Sequence, residues 1–171
     1  QTLKAAAESA PDSEQAWVAY GLYASSNGQT DEALAAYDKL IALGVQRPEV
    51  FNNYAYLLLE AGGDTSKALD YARRAAQTPL ARDGQVVHTL GRALLESGDA
   101  AEAEKALARA AEMLPGDPTV LLDLGRAFTA NGRPDDGKTL ARQALMHADQ
   151  LGLEFPRRTE AEALAAADPA A

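Results

Sequence analysis

No cysteine occurs in the sequence. Disulfides, thiolate metal sites and cysteine nucleophiles are therefore excluded, while the redox compartment stays open between cytoplasm and periplasm. Aromatic residues make up only 6% of the chain, which disfavours a β-rich core. No Lys/Arg block interrupts an acidic composition with a net charge of -9, so phosphate backbones are repelled and nucleic acid is not an expected partner. No apolar run approaches the roughly 20 residues that span a bilayer. YAYLLL is among the longest, and direct membrane insertion is not expected. The N-terminus lacks a charged-then-apolar targeting pattern.

Catalytic signatures are missing as well. The two histidines, His88 and His147, have no partner at ligand spacing, and there is no HExxH, phosphate-cradling Gly loop or nucleophile elbow. The PDDG run at 134–137 lacks the alternating ligands of a calcium loop and reads as a helix start. No catalytic residue, metal or cofactor is expected, and the chain is not expected to be an enzyme.

What is present is Ala and Leu at helical spacing, and a unit that repeats. TLGRALLESGD (Thr89 to Asp99) returns as DLGRAFTANGR (Asp123 to Arg133) after a shift of 34 positions. Four copies of one pattern follow from this register. The first carries Trp17, Tyr20, Gly21, Ala24, Gly28, Ala33, Tyr37 and Leu40, and the second Phe51, Tyr54, Ala55, Leu58, Gly63, Ala68, Ala72 and Ala75. The third has Val87, Leu90, Gly91, Leu94, Gly98, Ala103, Leu107 and Ala110, and the fourth Leu121, Leu124, Gly125, Phe128, Gly132, Gly137, Ala141 and Ala144. The second copy has a period of 36, with one extra residue at Gly62-Gly63 and another after Thr78. Insertions in turns cost little.

The physical reading is a helical hairpin. Small residues at Gly21, Ala55, Gly91 and Gly125 let the first helix approach Ala33, Ala68, Ala103 and Gly137 on the second. Gly28, Gly63, Gly98 and Gly132 are placed to end the first helix in a left-handed conformation. Asp99 with Glu102 reads as a capping box, Asp64 as a cap, and Pro134 as a first-turn residue. The carboxylates Asp31-Glu32 and Asp135-Asp136 at helix starts read as dipole complementation.

This skeleton resembles the tetratricopeptide repeat (TPR) family over about four-fifths of the chain. Two departures are visible: Val45 stands where the family closes with Pro, and Gly137 where it packs an Ala. The resemblance implies an all-α, right-handed α-solenoid of helical hairpins. The expected layout is 14–47, 48–83, 84–117 and 118–151 for the repeats, a capping helix at 152–166 opened by Thr159 with Glu162, and a disordered tail at 167–171. Residues 1–13, with Leu3, Ala6 and Pro11 in second-helix register, read as the remnant of a preceding repeat in a longer bacterial protein. The run NNYAYLLLEAGGDTSKALDYARRA also resembles C-terminal regions of bacterial TPR proteins linked to envelope assembly and exopolysaccharide export.

The family implies a non-catalytic scaffold whose concave groove binds a peptide or partner segment. Carried over position by position, the groove comprises Val18 and Leu22, then Asn52, Asn53 and Tyr56, then His88 and Arg92, then Leu122, Asp123 and Arg126. Arg92 and Arg126 are expected to stack on one wall and capture a carboxylate of an acidic segment; the alternative is pairing of Arg92 with Glu96 and Arg126 with Asp123 along their own helices. Val18 and Leu22 replace the Lys and Asn of the carboxylate clamp, so chaperone C-terminal tails are not the expected ligand. Other readings are a spacer or oligomerisation module, self-associating through the open N-terminal repeat, and a regulatory domain of an upstream enzyme.

Overall fold

The computed structural model describes residues 2–167; most of the tail expected to be disordered lies outside them. Among the described residues the protein is all-α, a helical repeat solenoid. Ten α-helices are joined by turns and one 3-10 segment, Pro79–Arg82. The chain divides into two units, Gln1–Leu80 and Ala81–Ala171. No helix among the described residues is long and apolar enough to cross a membrane.

The first unit holds α1 (Thr2–Ser9), α2 (Glu14–Ser26), α3 (Thr30–Ala42), α4 (Pro48–Glu60) and α5 (Thr65–Ala76). Its hairpins are α2/α3 and α4/α5. Its core is aromatic: Tyr37, Tyr54, Tyr71 and Phe51 follow one another at ring separations of 6.3, 5.0 and 5.5 Å. Leu40, Ala33, Ala36 and Ala68 are completely buried around them.

Two polar straps cross this unit in register. In the first, Lys4 of α1 pairs with Glu32 of α3 at 3.1 Å, and the Tyr20 hydroxyl donates to Glu32 at 2.6 Å. In the second, Asp38 of α3 pairs with Lys67 of α5 at 3.2 Å, and the Tyr54 hydroxyl donates to Asp38. Lys4, Tyr20 and Glu32 correspond through the repeat to Asp38, Tyr54 and Lys67. Acid and base have exchanged places while the tyrosine has stayed, and the hydroxyl follows the acid.

The second unit holds α6 (Gly84–Glu96), α7 (Ala100–Met113), α8 (Pro118–Ala130), α9 (Pro134–Leu151) and α10 (Arg158–Ala166). Here small residues do the packing: only Phe128 and Phe155 among the aromatics belong to it. Ala103, Leu107 and Ala110 are fully buried in α7. A second cluster joins Leu122 of α8, Ala144 and Ala148 of α9, Phe155, and Ala161 of α10. Helix α10 thus lies on the α8/α9 hairpin and covers its apolar residues.

Several local expectations meet their geometry. Asp99 accepts from the Glu102 amide and Asp64 from the Lys67 amide, while Pro134 opens α9. Two need correction. The left-handed residue after α4 is Gly62 (φ 62), not Gly63. Helix α4 ends at Glu60 with Ala61 as its cap, so Gly62 holds the position that Gly28, Gly98 and Gly132 hold elsewhere, and Gly63 is the inserted residue. Thr159 does not cap α10, because that helix starts at Arg158 with Arg157 at the N-cap and no side-chain cap bond. Arg157 has a different task.

Candidate functional site

The face predicted to bind ligand is built from the outer residues of the first helices, and each unit presents its own part. In the first unit α2 supplies Val18, half-buried, and Leu22, 46% exposed. Helix α4 supplies Asn52, Asn53 and Tyr56, the last 41% exposed.

The adjacent asparagines differ in their commitments. Asn53 donates to the Tyr37 hydroxyl at 3.1 Å and so ties α4 to the buried end of α3. Asn52 Oδ1 is buried and has no hydrogen-bond partner. A buried acceptor left without a donor costs about 1–3 kcal/mol, and a donor arriving from outside removes that cost. Of the two, Asn52 is the one whose side-chain oxygen is uncommitted.

In the second unit the corresponding positions are drawn inward. Leu122 and Asp123 have no exposed surface, and His88 and Arg92 are buried. Leu122 belongs to the cluster closed by Phe155 and Ala161, so neither it nor Asp123 lines an accessible groove. This corrects the reading of both as ligand contacts: the register along α8 is as expected, but α10 and the segment before it cover these positions.

Asp123 is the centre of an ionic network. His88 Nε2 lies 2.9 Å from its Oδ2, and Arg126 Nη1 lies 3.1 Å from its Oδ1. Arg157 Nη1 reaches Oδ1 at 2.8 Å, off the hydrogen-bonding line, so that contact is an ion pair held by charge. Arg126 also meets Glu96 of α6 at 2.8 Å and Glu160 of α10 at 3.0 Å. Glu160 accepts two bonds from Arg157, at 2.8 and 3.0 Å. The network therefore joins α6, α8 and α10.

The electrostatics follow from this arrangement. Burial alone raises a carboxyl pKa, but the hydrogen bond with His88 and the charges of Arg157, His88 and Arg92 outweigh it and hold Asp123 well below the ordinary carboxylate range. Burial works against the charge on Arg126 and Arg157, and their acidic partners raise both above the usual value. Asp123 is therefore an anion inside the protein, acceptable there because cations surround it.

Of the expected pairs, Arg126 with Asp123 is observed, and Glu96 also lies against Arg126. Arg126 is contacted by three carboxylates. Arg157 and Glu160 were not foreseen. Their signal is a charged pair three residues apart at the start of a helix meant to cover the last repeat. Among the described residues no group of His, Asp and Glu is arranged to hold a metal ion.

Comparison with known proteins identifies the repeat family. Sequence models described as tetratricopeptide repeat match residues 1–48 and 21–82, and again 94–167. No curated protein matches the chain by sequence. Among solved structures, YrrB, titled a TPR protein with an unusual peptide-binding site, superposes with a TM-score of 0.70 at 18% identity, over 86% of this chain and 75% of that one. PilW, described as a widely conserved type IV pilus biogenesis factor, gives 0.69 at 19% identity over 94% and 80%. The thermophilic TPR protein TTC0263 of Thermus thermophilus gives 0.64 at 22% identity over 89% and 88%. Identities this low establish the fold alone.

Proposed function

Because the chain belongs to the tetratricopeptide repeat family, whose members generally serve as non-catalytic protein-interaction scaffolds, we propose that it binds an extended segment of a partner protein on the first-helix face of its first unit. Val18, Leu22 and Tyr56 provide apolar contact, and Asn52 provides a hydrogen-bond acceptor for a ligand backbone N–H. The observation that carries this reading is the Asn52 Oδ1, buried and without a partner beside exposed apolar side chains on the same face. A peptide-binding site is also in the printed description of the structurally similar YrrB.

The counterpart face of the second unit serves structure in this reading. Its Arg126 is already matched by Glu96, Asp123 and Glu160, which leaves an acidic ligand facing carboxylates. The partner segment is accordingly apolar and backbone-recognised, in place of the acidic segment expected from the arginines.

Peptides selected against the full chain from a random displayed library test the proposal. Leu22→Glu is expected to weaken binding about a hundredfold, by placing a charge in an apolar contact. Asn52→Ala should weaken it about tenfold. Gln85→Ala, an exposed change on α6, should stay within about twofold. Affinities insensitive to both unit-one variants would refute the assignment.

A further inference from the structure

Helices α1, α2 and α3 line an open cavity of about 300 Å³. Its walls are Lys4, Glu8, Trp17, Tyr20, Asp31, Glu32 and Ala35. The Trp17 and Tyr20 rings stand 6.3 Å apart and tilted by 60°, and the indole N–H donates to the Pro11 carbonyl at 2.9 Å, which fixes the ring plane. Lys4 is already engaged by Glu32. Glu8 and Asp31 form no ion pair among the described residues. The cavity thus offers an aromatic wall and two unneutralised carboxylates.

The repeat itself shows what such a place accepts. Trp17 corresponds to Phe51 in the next hairpin, and there the ring is covered by the guanidinium of Arg74, 4.0 Å from its centroid. Gln46 accepts from that guanidinium at 2.7 Å, and Asp70 lies 3.8 Å from it. In the first hairpin Lys39 takes the place of Arg74 and Ala35 the place of Asp70, and among the described residues no cation lies over Trp17. The second hairpin supplies its own arginine; the first has a larger aromatic, a cavity and spare acids.

We propose that the Trp17 cavity receives an arginine side chain of a partner protein. The planar guanidinium stacks on the indole as Arg74 does on Phe51, and Asp31 and Glu8 neutralise it. This places a cation-reading contact on the molecule in addition to the apolar face, and it does not depend on that face. Asp31 then has a second task beyond the helix-start electrostatics that its position suggests.

Trp17 is the only tryptophan, so its fluorescence reports on the cavity directly. The probes are the peptide acetyl-Gly-Arg-Gly-Arg-Gly-amide and its lysine and citrulline counterparts, titrated into the full chain. The arginine peptide should change Trp17 emission saturably and bind about tenfold more tightly than the neutral citrulline peptide. Asp31→Asn combined with Glu8→Gln should weaken it about fivefold or more. Glu112→Gln combined with Glu154→Gln, removing the same charge from exposed positions of the second unit, should cost less than about twofold. Citrulline or lysine peptides binding as tightly as the arginine peptide would overturn the proposal. Equal losses in the two double variants would also overturn it, by showing general attraction to an acidic chain.

Discussion

Asp123→Ala is expected to destabilise the second unit by roughly 3–5 kcal/mol, the usual cost of removing one partner from a buried ionic cluster. The substitution leaves His88 and the inward end of Arg157 facing a cavity with no anion. Asp123→Asn keeps the shape and loses the charge, so a smaller loss of about 1.5–3 kcal/mol is expected. Repeat arrays unfold in pieces when one region is weakened, and the chain offers a means of seeing this. Trp17 belongs to the first unit, whereas far-UV dichroism follows all the helices. In urea, the variants should lose part of the helical signal early while the Trp17 transition stays near its original midpoint.

The pH dependence has a definite sign. The folded pKa of Asp123 lies below its ordinary value of 3.8. Its contribution to stability is therefore fully present above that value and is lost as pH falls through the folded pKa. The stability gap between the wild type and Asp123→Asn should close as the solution is acidified below about pH 5. A gap that widened over that acidic range would mean that the carboxyl is held neutral in the fold.

Gly137→Ala is the second large effect, and it runs against the family pattern. Ala is the usual residue there and the better helix former by about 1 kcal/mol. Here a Cβ at 137 would lie 2.5 Å from the Gly125 carbonyl oxygen and closer still to the Thr129 hydroxyl. A Cβ at Gly125 would meet the Gly137 carbonyl at 2.8 Å. The two backbones cross in near contact, so restoring the family residue should cost a net 1–3 kcal/mol through overpacking. Equilibrium denaturation followed by dichroism gives the answer; a neutral or stabilising Gly137→Ala would show that the crossing has slack.

Features set by neighbours in sequence were legible before any coordinates. The spacing of Leu90-Gly91 and Leu124-Gly125, the caps at Asp64 and Asp99, and Pro134 each depend on one turn of helix and its flanks. What a face meets from far along the chain was not legible. Leu122, Asp123 and Arg126 have the register of groove residues, yet Phe155, Arg157 and Glu160, some 30 residues later, convert the first two into interior and neutralise the third. The difference between Asn52 and Asn53 rests on whether the Tyr37 hydroxyl points at one or the other. Gly62 and Gly63 were ambiguous because an insertion between two glycines leaves no trace of which is extra.

In the proposed arrangement recognition falls on the first-helix face of the first unit, while its counterpart in the second unit is committed to internal ion pairs. Backbone amide chemical shifts of the full chain, recorded with and without a library-selected peptide, test it most directly. The predicted result is a set of changes on α2 and α4 centred on Val18, Leu22, Asn52 and Tyr56, with α6, α8 and α10 unmoved. Changes centred on Arg126 and α8, with α2 and α4 silent, would contradict it.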